Sequence, residues 1–366
     1  MEKQVLDFRN PKLVVDSSNL EEGEIKWRSP SNIAIIKYWG KFGIQYPQNP
    51  SVSFTLENAY TETSFGYSAK KSIEKDIELE FYFNGEVNIP FGEKVVKYFE
   101  KLVPFFPFLR QLKMTIRSSN SFPHSAGIAS SASAMSALAL CLCSFEDRIF
   151  GTLSDIDEFR RKASYLARLG SGSACRSIYE HAAIWGESGE VNGATNDYAI
   201  PFSESLHPVF KTFHDDILII SKGEKSVSST IGHGMMDGNI YANSRYQQAR
   251  QRFHEVLIAL RQGDLESFGR IAEGEALTLH ALMMTSYPPY ILMKPNTLLV
   301  IQKIQEYRKR TGQPLYFSLD AGPNLHLLYP DEIVDDVQNF IESELLQYCE
   351  DGQWIKDKVG GGPLEV

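Results

Sequence analysis

Ser121-Phe-Pro-His-Ser-Ala-Gly-Ile-Ala-Ser-Ser-Ala-Ser133 joins a β-forming run at 113–116 (KMTI) to a segment at 129–142 dense in Ala, Ser, Met and Leu. The upstream run predicts a strand. The downstream segment predicts a buried helix, closely packed because its residues are small. Gly127 allows the backbone to approach an anion. Ser130, Ser131 and Ser133 put hydroxyls and free N–H groups in the first helical turn. A helix start carries unsatisfied donors and partial positive charge, so phosphate fits there. No Gly-Lys-Ser/Thr follows, so this is not the Walker pattern. A Ser-rich cap on a tightly packed helix accounts for the same residues, and the segment alone leaves both readings open.

Outward from that point, 77–83 (IELEFYF) begins with strand-like alternation and runs into Asn84-Gly85, a hairpin dipeptide. Residues 94–102 and 155–168 have helical spacing, the second ending at Gly170. Short apolar runs at 33–36, 217–221, 315–319 and 325–329 predict strands; 244–261, 265–282, 297–310 and 333–348 predict helices. Residues 1–26 read as an edge element or loose arm. Strands and helices do not alternate regularly, so the expected class is α+β. The 366 residues correspond to two domains at about 150 residues each. The expected division is 1–205 and 206–366, because Pro201 and Pro208 bracket a polar segment.

Composition narrows the function. The net charge of −9 argues against a general nucleic-acid binder, which needs a concentrated positive face. The longest nearly apolar stretch, 134–143, is too short to span a bilayer. Hydrophobic residues at 43% and charged residues at 23% are those of a globular chain. Cys141, Cys143, Cys175 and Cys349 form no Cys-x-x-Cys pair, which points to reduced, buried thiols in a cytoplasmic protein. The opening MEKQVLDFRN shows no export signal. No His/Cys/carboxylate cluster indicates a separate metal site.

Four more segments carry candidate chemistry. Pro30-Ser-Asn-Ile-Ala-Ile-Ile-Lys-Tyr-Trp-Gly-Lys41 ends a buried strand in two ammonium groups beside two aromatics, able to clamp phosphoryl oxygens. Solvated lysines beside a core Trp explain it as well. Gly170-Ser-Gly-Ser-Ala-Cys-Arg176-Ser177 delivers one arginine from a Gly/Ser turn, and its planar fork suits a carboxylate or phosphate; a helix cap followed by a surface arginine is the alternative. Ser318-Leu-Asp320-Ala-Gly-Pro-Asn324 ends an apolar strand in a carboxylate that needs a partner if buried. An Asx-type turn is the competing reading. Lys225-Ser-Val-Ser-Ser-Thr-Ile-Gly232 is a polar loop able to donate to an anion, or an ordinary surface loop.

Together and in this order, these segments resemble the diphosphomevalonate decarboxylase family of the GHMP kinase superfamily. The likeness runs from about residue 30 to residue 363. Its most specific parts are Asn32-Ile-Ala-Ile-Ile-Lys-Tyr-Trp-Gly-Lys41, Gly127-Ile-Ala-Ser-Ser-Ala-Ser133, Ser171-Gly-Ser-Ala-Cys-Arg-Ser177 and Asp320-Ala-Gly-Pro-Asn324. The resemblance implies a two-domain GHMP kinase-like fold, with a ribosomal S5-like N-terminal domain, a ferredoxin-like C-terminal domain and the active site between them. It implies ATP-dependent decarboxylation of (R)-mevalonate 5-diphosphate to isopentenyl diphosphate, with magnesium arriving on the nucleotide, and often a homodimer.

By the same resemblance, Asp320 sits at the 3-hydroxyl, Arg176 holds the substrate carboxylate with help from Asn32, and Lys37 and Lys41 serve phosphate groups. Tyr38, Ser173, Ser229 and Thr230 face the substrate. Gly127, Ala129, Ser130, Ser131 and Ser133 cradle the ATP phosphates. Three departures stand out. Glu180 and His181 replace a usual Gly-Gly pair, His233 stands where Met is common, and His124 stands where a small hydroxyl residue is usual. They leave open a relative acting on mevalonate 5-phosphate, or a non-catalytic metabolite binder. A mevalonate 3-kinase fits less well with Asp320 present.

Overall fold

The computed structural model describes residues 7–71, 76–123, 128–223, 227 and 229–366. The chain opens with an arm whose Leu13 and Val15 are buried. The side-chain amide of Gln111 holds both the N–H and the carbonyl of Val15, each at 2.9 Å. This part of the expected loose arm is therefore pinned. Strand β1 (Gly23–Ala34) follows, then the tight pair β2 (Lys41–Phe42) and β3 (Tyr46–Pro47), and the long β4 (Ser51–Ala69).

β1 is much longer than the apolar run at 33–36 predicted, and Ile35 and Ile36 lie just beyond its end. Upstream of that run it is mostly polar, yet Ser29 and Ser31 are fully buried. Their hydroxyls reach Ser136 Oγ (2.5 Å) and the Ile128 carbonyl (2.6 Å). Hydrogen bonding to the neighbouring helix and its entrance makes that burial tolerable and hides the strand from a hydrophobicity reading.

Next come β5 (Glu78–Phe83) and β6 (Glu86–Val87). Both turn residues between them, Asn84 (φ 50°) and Gly85 (φ 85°), are left-handed, as the Asn-Gly hairpin signal requires. α1 (Ile89–Leu102) and β7 (Leu112–Asn120) lead to α2 (Ser130–Phe150) and α3 (Ile156–Gly170). α3 starts at Asp155, whose carboxylate accepts the Glu158 N–H. β8 (Ala182–Trp185) and β9 (Ala199–Pro201) complete this half. Among the described residues the main sheet runs β6-β5-β7-β4-β1, with β8 and then β9 continuing from the first residues of β4. Among the described strands only β5 and β7 pair in parallel. The apolar face packs beneath α1, α2 and α3.

In the second half, β10 (His214–Leu218), β11 (Tyr316–Ser318), β12 (Leu325–Tyr329) and β13 (Trp354–Ile355) form an antiparallel sheet ordered β11-β12-β10-β13. Around it lie the short α4 (Ser229–Gly234), then α5 (Ala242–Gln262), α6 (Leu265–Met284), α7 (Pro295–Thr311) and α8 (Val334–Phe340). The helix expected over 333–348 is interrupted. α8 passes into a wider π turn at Ile341–Leu345 and a tighter 3-10 turn at Leu346–Tyr348. A second core joins the halves: Phe54 of β4 packs against Phe210, Phe213 and Phe268. The chain finally returns to the first sheet, where β14 (Leu364–Glu365) pairs with Arg28 and Trp27 of β1.

Candidate active site

A cleft of about 210 Å³ opens where the end of β1, the start of α2, the turn after α3 and the turn after β11 meet. Asn32, Lys37, Tyr38, Lys41, Ala129, Ser131, Ser173, Arg176 and Asp320, nine of the residues singled out from the sequence, line it together. His233 lines it too.

Asp320 reaches the cleft because Leu319 ends the apolar β11 segment in the core and the Ala-Gly-Pro-Asn turn bends the chain. The turn is fastened twice. Thr297 Oγ1 donates to the Pro323 carbonyl (2.8 Å), and Asn324 exchanges hydrogen bonds with both the N–H and the carbonyl of Ser221. The Asp320 carboxylate is 23% exposed, whereas its partner Lys37 is only 2% exposed. Lys37 Nζ donates to Asp320 Oδ1 (3.0 Å) and to Ser318 Oγ (2.9 Å). His280 Nε2 meets the Asp320 carbonyl at 3.1 Å.

The backbone of Lys37 is gripped from the second half. Glu275 on α6 accepts the Lys37 N–H at 2.9 Å, and Arg245 on α5 donates to the Lys37 carbonyl at 3.4 Å. Glu275 and Arg245 are themselves a bidentate pair, both contacts at 2.6 Å, and Arg252 adds a third at 3.0 Å. Burial works to raise the Glu275 carboxyl, but Arg245 and the other donors outweigh it and hold the group below the usual carboxylate range. Sequence reading missed this clamp. Its members occupy ordinary positions on two amphipathic helices, and no local pattern marks them.

Arg176 rides on the 3-10 turn Gly172–Ile178 and is almost wholly buried. Its Nε donates to Ser53 Oγ (2.8 Å) and its Nη1 to Ser51 Oγ (2.9 Å), both on β4. Among the described residues no carboxylate pairs with it. Burial lowers its proton affinity, and the nearby Asp320 charge acts the other way. Gly172 is required for this turn, since a Cβ there would sit 2.8 Å from the Tyr38 hydroxyl.

Among the described residues, two polar atoms in the cleft wall are buried without a hydrogen-bond partner: Asn32 Oδ1 and the Tyr38 hydroxyl. Asn32 spends its amide donors on Ser177 Oγ (2.7 Å) and the Ser173 carbonyl (3.3 Å), so an acceptor is left over. Burial pushes the Tyr38 phenol up, which keeps it a donor. Such orphaned atoms fit a site completed by a polar ligand. Burial, helped by Lys101, lowers the Lys41 ammonium, whose Nζ meets Gln45 Oε1 at 3.1 Å.

α2 follows Ala129, which is left-handed (φ 45°, ψ 37°), and among the described residues no side chain caps the helix. The Ala132 N–H turns back to the Ala129 carbonyl (2.8 Å), so the N–H groups of Ser130 and Ser131 are the ones left to face a ligand at the cleft wall. Ser133 lies elsewhere. Fully buried, it hydrogen-bonds Thr61 Oγ1 (2.6 Å) and the Ser130 carbonyl (3.2 Å), beneath the helix and facing the sheet. Ser130 does not line the cleft either. Gly127 and His124 fall outside the described residues, as do the side chains of Ser229 and Thr230.

With this geometry in hand, two family models match the chain. One is described as diphosphomevalonate decarboxylase-like N-terminal domain, over residues 29–197. The other is described as mevalonate 5-diphosphate decarboxylase C-terminal domain, over residues 216–359. The chain belongs to the diphosphomevalonate decarboxylase family. A diphosphomevalonate decarboxylase from Candida albicans is 28% identical over 326 residues, covering 86% of each chain. The mevalonate diphosphate decarboxylase of Staphylococcus aureus superimposes with a TM-score of 0.78 at 28% identity, over 94% of this chain and 98% of that one. A structure of MDDEF in complex with MVAPP, AMPPCP and magnesium gives 0.77 at 28% identity, over 94% and 99%. The fold is thus the two-domain GHMP kinase-like α+β arrangement. Among the described residues, no three His, Cys, Asp or Glu side chains gather to hold a metal, and no helix is long and apolar enough to cross a membrane.

Proposed function

We propose that the chain decarboxylates (R)-mevalonate 5-diphosphate in an ATP-dependent reaction, releasing isopentenyl diphosphate, ADP, phosphate and carbon dioxide. The observation that carries this reading is the Lys37–Asp320 pair at the mouth of a cleft that also holds Arg176 and the uncapped start of α2.

A tertiary hydroxyl is a poor leaving group, so its conversion to a phosphate ester comes first. Asp320, fixed by the buried Lys37 ammonium, receives or orients the 3-hydroxyl proton as that oxygen takes the terminal phosphoryl group of ATP. The N–H groups at the start of α2, with Ala129 and Ser131, meet the nucleotide phosphates. Magnesium, carried by the nucleotide, neutralises phosphate charge there. The new phosphate then leaves with its C–O electrons and takes up the proton that Asp320 received, and positive charge develops on the tertiary carbon, where the freed Asp320 carboxylate stabilises it. The substrate carboxylate, held by Arg176 and oriented through Asn32, departs as carbon dioxide. The electron pair of the broken C–C bond becomes the alkene. Tyr38, Lys41, Ser173, Ser229 and Thr230 serve the diphosphate end.

Four buried free cysteines support a cytoplasmic setting. A homodimer, which the family resemblance implies, belongs to the same reading. The test of function is an assay with ATP and, side by side, the 5-diphosphate and 5-phosphate substrates, following ADP, phosphate and carbon dioxide. Turnover preferring the diphosphate is expected. Binding of both without turnover would instead mark a metabolite-binding protein.

A further inference from the structure

His233 stands in α4 at the wall of the cleft, its ring set between Tyr38 and Trp39 with centroids 4.4 and 4.7 Å away. The close fit depends on its neighbour: a Cβ on Gly232 would lie 2.6 Å from the Trp39 ring. Nδ1 of His233 accepts the Gly40 N–H at 3.0 Å. A backbone N–H can only donate, so in the neutral ring the proton resides on Nε2. Burial, with Lys41 adding repulsion, lowers the imidazolium to about 3, so the ring is neutral at ordinary pH. Among the described residues nothing accepts a hydrogen bond from Nε2. The result is a fixed, uncharged donor on the same wall as Tyr38 and Lys41.

We propose that His233 is a substrate-binding residue whose Nε2–H donates to a phosphoryl oxygen of the substrate, so that it contributes to the preference for a diphosphate over a monophosphate. The inference rests on the decarboxylase reading above. It takes as its ligand the phosphoryl end of the substrate and has no part in the nucleotide site. Two alternative elements could have filled this wall: a cation, which Lys41 disfavours by repulsion, or an apolar side chain, which would leave the Gly40 N–H unpaired. A neutral ring satisfies Gly40 on one side and keeps a donor on the other.

The test separates the two ring nitrogens. His233→Asn keeps an acceptor near the Nδ1 position and lacks the distal donor. His233→Gln reaches to the Nε2 position and keeps one. Loss of a hydrogen bond to a charged group predicts that His233→Asn raises KM for mevalonate 5-diphosphate about tenfold or more. KM for ATP should stay within about twofold, and His233→Gln should remain within about threefold of the parent. Equal impairment of both variants, or an unchanged KM in His233→Asn, would overturn the assignment by reducing the ring to packing. A second readout needs no variant. In the unaltered protein the ¹⁵N-labelled imidazole should show an Nε2–H proton in the free state that shifts downfield as mevalonate 5-diphosphate is added; a resonance unmoved at saturation also overturns it. If the unaltered protein turned over neither substrate, the functional reading itself would fail, which is a different result from any of these.

Discussion

The ammonium of Lys37 meets the carboxylate of Asp320 at 3.0 Å across a sequence separation of 283 residues. One partner lies three residues past the end of the first strand of the first sheet and the other begins a turn of the second, so the pair exists only when both halves are assembled. Because Lys37 is buried and Asp320 is turned to the cleft, the lysine has one principal counter-charge and the aspartate links that buried ammonium to the cleft.

Replacing Asp320 with Asn preserves shape and removes that counter-charge. Turnover should fall by at least about a thousandfold, since the group that handles the hydroxyl proton and faces the developing cation is lost. On the proposed reading, in which ATP phosphates meet the start of α2, nucleotide affinity should be nearly unchanged. Single-turnover kinetics and nucleotide titration read the two effects separately. A variant retaining most of its rate would remove Asp320 from the chemistry.

The Glu275–Arg245 clamp predicts a stability signature. Glu275→Ala leaves an essentially unexposed guanidinium without its partner and frees the Lys37 N–H. Breaking a buried pair this way should cost about 3–5 kcal/mol in denaturant unfolding. The double change Glu275→Met with Arg245→Met should cost less than Glu275→Ala alone, because no buried charge remains. A double variant worse than the single would contradict that account.

Asp216 gives a pH dependence. Burial raises its carboxyl from 3.8 to about 6, against the pull of the Tyr329 hydroxyl and the Asp357 N–H. The folded state thus holds a proton at pH values where the unfolded chain has lost it. Acidification from pH 7 through 6 towards 4 therefore adds stability through this group, and that gain is lost again as pH rises. Relative to Asp216→Asn, the unaltered protein should gain on the order of 1–3 kcal/mol between pH 7 and 4.5. A stability difference that stays flat across this range would show that the carboxyl is not raised.

His181 occupies a left-handed backbone position (φ 55°) with its N–H bonded to the Gly360 carbonyl and its own carbonyl to the Thr55 N–H, so it cannot relax. Among the described residues its buried Nδ1 has no partner. The glycine usual here in the family takes such angles freely. His181→Gly should stabilise the fold by about 0.5–1 kcal/mol, the steric relief exceeding the added chain entropy of glycine. Thermal unfolding checks it, and a lower melting temperature would count against the strain.

Chemistry-bearing residues were legible where a short segment fixes its own geometry. Asp320 in its Ala-Gly-Pro-Asn turn, Arg176 in its Gly/Ser turn and Lys37 at a strand end all come to one cleft. What the sequence concealed depends on partners far away. Ser51 and Ser53, the hydroxyls that aim Arg176, look like any alternating strand residues, and Glu275 and Arg245 like any helix charges. Ser133 shows the opposite case. Its place in the first turn of α2 makes it look available to phosphate, but helical periodicity turns it down onto Thr61.

The return of β14 to β1 bears on how the molecule is made. Until synthesis reaches residue 365, the outer edge of β1 at Trp27 and Arg28 lacks the strand that pairs with it in the folded protein, so a nascent chain carries an open β edge while all of residues 29–363 are added.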